Sequence, residues 1–246
     1  MPITRNPLAF PAGVTPGFNP NHIGARKCRW SGVPFGVNYC NVLNGKVGTM
    51  GGGAVGSLVS FKHGLLGPAI KASGYFYQAH TAFETYTIVQ NEDFTFAGFF
   101  QLDVGDGGDC AIVSNNGGNN NNYGAAITIN GDRFKLYFIG SIYAGPSATV
   151  LCPVGGSYFF IASWTAAYNG VSMLTVNLAT GQQRTEFMGT GGFNMLGGAG
   201  GASGLGFGGN MPPGSIGHMM WSRSYLMWQE MQAWAQDPWS FWYPDV

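Results

Sequence analysis

The feature that most constrains this chain is a succession of short apolar runs, rich in β-branched and aromatic residues and punctuated by glycine and asparagine. The clearest runs cover 84–89, 95–102, 110–114, 123–129, 133–139, 158–167 and 172–177, and Gly-rich shorter ones occupy 33–60. Such runs read as strands, and some alternate, as in Phe134-Lys135-Leu136-Tyr137-Phe138. Asn130-Gly131 falls between two of them, a strong signal for a tight hairpin turn, and Asn169-Gly170 repeats it. Strands joined by turns at short spacing, with almost no helical periodicity, predict an all-β fold: an antiparallel β-sandwich or jelly roll. Alternation nominates Phe96, Phe134, Leu136, Phe160, Trp164 and Leu174 as inward-facing.

Composition narrows the partners. The chain has 246 residues, 41 of them Gly, and is 9% charged and 15% aromatic. Typical chains carry about 7% Gly and about 25% charged residues. No linker divides the sequence, so residues 26–246 are expected to form one domain. The formal charge of +0 offers no basic field for nucleic acid or an anionic bilayer, and no run of 18 apolar residues predicts membrane insertion. The segment Met1-Pro2-Ile3-Thr4-Arg5-Asn6-Pro7 lacks the apolar stretch of a signal peptide, so the expected site of synthesis and assembly is a cytoplasm. Cys28, Cys40, Cys110 and Cys152 lack paired zinc-site spacing and read as mostly unpaired thiols, although the Cys28 to Cys40 separation would permit a loop.

The two ends differ from the middle. Residues 1–25 hold Pro2, Pro7, Pro11, Pro16 and Pro20, which predicts an extended arm. Ile3, Leu8, Phe10, Val14 and Phe18 give that arm apolar anchors, read here as docking on a neighbouring subunit. Near the other end, Leu226, Met227, Glu230, Met231 and Trp234 recur at helical spacing. Ser224 stands near the start of that pattern and Asp237-Pro238 stops it, predicting one short helix across the end of the sandwich. After it comes an aromatic tail, in which Trp239, Trp242 and Tyr243 are expected to be exposed and to bind a partner or a second copy.

Several segments in order carry a resemblance. They are Asn19-Pro20-Asn21-His22 with Ala25-Arg26, Gly64-Leu65-Leu66-Gly67-Pro68-Ala69, Phe94-Thr95-Phe96-Ala97-Gly98-Phe99, the stretch from Ile129 to Tyr137, and Gly214-Ser215-Ile216-Gly217-His218-Met219 through Asp237-Pro238-Trp239. Together they resemble the concanavalin A-like, laminin-G-like jelly-roll domains of bacteriophage structural proteins, over most of the chain from about Asn19 onward. The family often has a Gly-Arg-Ile-Asp-Glu type strand before the helix. Gly217 and His218 replace its acids here, which removes any role those carboxylates carry.

The glucanases of this fold class place two carboxylates close together on one strand, and no strand here has acids at alternating positions. No nucleophile elbow or triad context appears either, so the chain is expected not to be an enzyme and to need no cofactor. Asp103, Asp106 and Asp109 in a Gly-rich loop can supply oxygen ligands to Ca²⁺, as laminin-G-like domains often do at a loop rim, or can form a solvated turn. Asn119, Asn120, Asn121 and Asn122 can orient sugar hydroxyls, with aromatic rings either stacking on the sugar or filling the core. The resemblance thus implies a bacteriophage virion protein on the virion surface, decorating the capsid. The alternative is a glycan-binding module on a tail or fibre that attaches to the host.

Overall fold

The structure, a computed structural model, describes residues 8–11, 13, 15–35, 38–47, 58–62, 65–75, 93–102, 110–114, 124–130, 133–139, 147–167, 170–189 and 206–244. Among them lie the strands β1 (Cys28–Phe35), β2 (Asn38–Asn41), β3 (Leu58–Lys62), β4 (Ala69–Tyr75), β5 (Phe94–Leu102), β6 (Cys110–Ser114) and β7 (Gly124–Asn130). They continue with β8 (Arg133–Ile139), β9 (Ser147–Leu151), β10 (Ser157–Thr165), β11 (Gly170–Asn177), β12 (Gln183–Gly189) and β13 (Gly206–Ser222). One helix, α1 (Trp228–Gln236), follows. The expected strand at 84–89 lies outside the described residues.

All pairings described are antiparallel, in the order β12-β11-β10-β5-β13-β6-β7-β8-β9. The spine of the sandwich is β13, 17 residues long. Its first residues, Gly206 to Gly209, pair with β6. Further on, Gly214 to Ser222 run between β5 on one side and β4, then β1, on the other. Its register slips between Met211 and Gly214, where Pro212 and Pro213 have no N–H to give a ladder, and again between Ile216 and Met219. Such slips bend a strand and let it serve two layers.

Turn chemistry places the connections. In β7–β8 the last pair is Asn130 with Arg133, so the ladder closes one position beyond the expected Asn-Gly centre. In β10–β11, Thr165 pairs with Gly170, and the link is the longer 166–169.

Alternation fails to choose a single inward face, because the central strands are covered on both. Every residue of β10 is buried. Phe160 lies opposite Thr175 and Leu174 opposite Ile161, so Phe160 and Leu174, expected together, point to opposite faces. On one face Phe94, Phe96, Phe100, Phe160, Trp164 and Trp221 are buried, with Phe94 stacked on Trp164 at 6.4 Å and Phe96 on Trp221 at 6.4 Å. The side chains of Phe134 and Leu136 lie outside those described.

The other face is covered by the C-terminal segment. Ala97, Phe99, Phe159, Ile161, Leu174, Val176 and Met220 form one cluster with Met231, Trp234, Trp239, Phe241, Trp242 and Tyr243. Helix α1 therefore lies along a sheet face, not across the sandwich end. Its first turn is closed by Glu230, whose carboxylate accepts from the Met227 N–H at 2.8 Å, while Asp237 N–H donates to the Trp234 carbonyl at the other end. Ser224 does not cap it: its hydroxyl donates to the Arg26 carbonyl at 3.0 Å and its carbonyl accepts from Thr95.

Candidate functional site

Of the residues expected to bind a neighbour, the described ones pack within the molecule itself. Trp239, Trp242 and Tyr243 are fully buried, so the exposed aromatic tail of the sequence reading is corrected to a core element. Trp239 stacks on Phe99 at 3.9 Å, the Trp242 indole N–H donates to Ser31 Oγ at 2.9 Å, and Tyr243 Oη meets His218 Nε2 at 3.1 Å. The physical reason is that Phe99, Phe159 and Met220 leave an apolar sheet face that one short helix cannot cover.

The arm then closes over that tail. Phe10 packs edge-on against Trp239 at 5.2 Å and Tyr243 at 5.8 Å, and Phe18 against Phe241 at 5.6 Å. The Trp239 indole N–H donates to the Leu8 carbonyl at 3.3 Å, and the N–H groups of Gly17 and Asn19 donate to the carbonyls of Trp242 and Phe241 at 2.7 and 3.0 Å. Leu8, Phe10 and Phe18 thus pack against the core cluster of their own chain. Ile3 and Val14 lie outside the described residues, as do Asp103, Asp106 and Asp109 and the loop Asn119 to Asn122.

Burial also disposes of two histidines. His218 sits among Phe99, Trp239 and Trp242, and desolvation lowers its pKa to about 3. His22 lies against Trp234 at 4.6 Å, accepts from the Gly24 N–H at 3.0 Å, and is lowered to about 4 by burial. Neither offers a protonated imidazole near neutral pH. Among the described residues no group of three His, Cys, Asp or Glu side chains could hold a metal ion. No described helix is long and apolar enough to cross a membrane.

Among the described residues a recess opens beside the loop that leads into β10. It measures about 150 Å³ and is lined by Pro153, Val154, Gly156, Tyr158, Thr175, Asn177, Gln182 and Arg184. Strand pairing assembles it. Tyr158 of β10 is opposite Asn177 of β11, and Thr175 of β11 is opposite Arg184 of β12, so all four project from one sheet face. The lip before β10 depends on glycine. Gly155 has φ +83°, and a Cβ on Gly156 would overlap the Tyr158 ring. That close approach lets the Tyr158 hydroxyl donate to the Pro153 carbonyl at 2.9 Å.

The recess is arranged to donate. Asn177 Oδ1 is occupied, accepting from the Ala179 and Thr180 N–H groups at 2.9 and 3.2 Å, and its NH₂ faces the Tyr158 hydroxyl, leaving one N–H for a guest. Thr175 is only 1% exposed, and its hydroxyl has no hydrogen-bond partner among the described residues. Burial raises the Tyr158 phenol above its ordinary pKa, opposed by the Asn177 side chain and the Arg184 charge. Val154, 41% exposed, adds an apolar lip. Sequence reasoning missed this site, because its residues are far apart in the chain. The local traces were Gly155-Gly156 ahead of an aromatic strand and an arginine just beyond the Thr180-Gly181-Gln182 turn.

No family model and no curated protein matches this sequence. Among solved structures, the chain is similar to the binding domain of botulinum neurotoxin serotype D, with TM-score 0.60 and 8% identity over 85% of this chain and 50% of that one. It is similar to the serotype G binding domain with TM-score 0.60 and 10% identity, over 85% and 50%. It also resembles domain 4 of an extracellular arabinanase from Geobacillus stearothermophilus, solved in complex with arabinotriose, with TM-score 0.58 and 14% identity over 85% of this chain and 98% of that domain. The chain spans about half the length of the neurotoxin domains it matches. With identities this low the likeness concerns architecture alone, and the architecture is an antiparallel, lectin-like β-sandwich.

Proposed function

We propose that this chain is a non-enzymatic glycan-binding module whose ligand enters the recess. The observation that carries the reading is the Thr175 hydroxyl, buried and without a partner among the described residues, at a recess that Asn177 and Arg184 also line. A buried polar group left unpaired costs about 1–3 kcal/mol, and one in the wall of a recess is a group that a guest could satisfy. Sugar hydroxyls both give and take hydrogen bonds and suit this set. The arabinanase domain of the same architecture, nearly all of whose length is matched, holds an arabinose oligomer. None of the eight lining residues is a carboxylate, whereas glycoside hydrolysis ordinarily uses two.

The test is a glycan array probed with the full chain, followed by calorimetry of any hit against wild type and Asn177→Ala. Binding weakened by the substitution is expected. No binding to any glycan would overturn the reading.

The finer placement, on a bacteriophage virion assembled in a host cytoplasm, is proposed from the sequence resemblance. Since the arm and tail are occupied within the domain, we place the chain as a binding module displayed on the particle, not as one that clasps its neighbours through those segments. Mass spectrometry of purified particles, with copy number set against the capsid lattice, tests this: absence from particles would refute it.

A further inference from the structure

The recess points to a class of ligand. We infer that it binds a sugar carrying a negatively charged group, an inference that rests on the glycan-binding reading above. The polar groups that line it are the guanidinium of Arg184, which can only donate, the NH₂ of Asn177, whose oxygen is occupied, and the Gln182 amide and Thr175 hydroxyl, which can donate or accept. The Tyr158 hydroxyl has already given its proton to the Pro153 carbonyl.

Arg184 decides the sign of the charge. It makes no hydrogen bond or ion pair among the described residues, and its charge acts on the Tyr158 phenol. No acid is among the described residues that line the recess; Glu186 lies two residues further along β12, outside that lining. A lining cation with no ion pair among the described residues, beside a buried hydroxyl with no described partner, suits an anion. The planar fork of the guanidinium fits two oxygens of a carboxylate or a sulfate, and the Thr175 hydroxyl and Asn177 amide can hold a further oxygen.

The dimensions agree with one ring rather than a chain. Pockets for drug-sized ligands run to about 300–1,000 Å³, whereas a cavity of about 150 Å³ holds a single benzene-sized guest. The recess measures about 150 Å³. A single charged residue of an oligosaccharide would therefore seat there, its C–H face against the exposed Val154 and the remaining units outside the lip.

Calorimetry with the full-length chain tests this on three oligosaccharides of equal length: neutral galacto-oligosaccharide, oligogalacturonate and sulfated galacto-oligosaccharide. A charged oligomer should bind about tenfold or more tightly than the neutral one, and Arg184→Ala should remove that preference. Thr175→Val, which keeps the side-chain shape, should weaken binding without loss of folding, and Lys46→Ala, a charge removed from the turn after β2, should leave it unchanged. Preference for the galacturonate identifies a carboxylate as the group recognised; preference for the sulfated oligomer identifies a sulfate. Equal binding of all three overturns the charge inference and leaves glycan binding intact. So does a charge preference that survives Arg184→Ala. Binding of none of these, nor of any other glycan, overturns the reading beneath it.

Discussion

Replacing Phe10 with alanine separates an arm that belongs to its own domain from an arm made for a neighbour. Phe10 meets Trp239 at 5.2 Å and 73° and Tyr243 at 5.8 Å and 86°, and packs so closely over Gly67 that a Cβ there would overlap its ring. Truncating a fully buried Phe costs about 3–5 kcal/mol, and this ring is partly buried, so about half of that is expected. Edge-on aromatic pairs contribute about 0.5–1.5 kcal/mol beyond area, which brings the expected cost to about 2–4 kcal/mol. For a chain of this size each kcal/mol shifts Tm by about 2–4 °C, so the loss should be about 4–16 °C. Urea titration followed by tryptophan fluorescence is the direct assay, because the buried Trp239 lies in the disturbed contact. A change within about 0.5 kcal/mol, the usual range of surface substitutions, would refute the intramolecular role and restore the arm to a partner-binding one.

The remaining expectations are narrower. His218 and His22 have folded pKa values lowered to about 3 and about 4, below the ordinary 6.5, so the unfolded chain takes up the protons first. Stability should be flat above about pH 7 and fall as pH drops from about 6.5, with His218 alone removing about 2 kcal/mol by pH 5; equal urea midpoints at pH 7.5 and 5 would contradict this. Burial pushes the Cys28 thiol up to about 12, so iodoacetamide at pH 8 should spare it in the folded protein and label it on unfolding. Equal labelling rates in the two states would contradict that. Gly98→Ala would set a Cβ against Met219 and 2.7 Å from the His218 carbonyl oxygen, and should cost about 1–3 kcal/mol. An unchanged melting temperature would show that β13 can move aside.

The strands were legible in the sequence where the cause was local. Asn130-Gly131 located the β7–β8 hairpin to within one residue because turn chemistry is written in adjacent positions. The faces were less legible: a strand covered on both sides carries no alternation, so Phe160 and Leu174 could not be told apart by pattern. The apolar anchors of the arm were readable as docking residues, but nothing in Leu8, Phe10 or Phe18 says whether the complementary aromatic surface belongs to the same chain. The recess was the least legible, since Tyr158, Thr175 and Arg184 come together only through the register of three strands.

The position of β13 in the chain has a consequence for synthesis. One edge of β5 is completed only by β13, and roughly 100 residues separate Leu102 from Gly206. At about 5–20 residues per second, the ribosome needs about 5–20 s to supply them. Over that interval Phe96, Phe99 and Phe100 belong to a strand with an unpaired edge, long after hairpins such as β7–β8 have had the microseconds they need. The nascent chain therefore spends seconds as an open sheet prone to edge-to-edge association, and its yield should depend on holdase chaperones and on translation speed between β5 and β13.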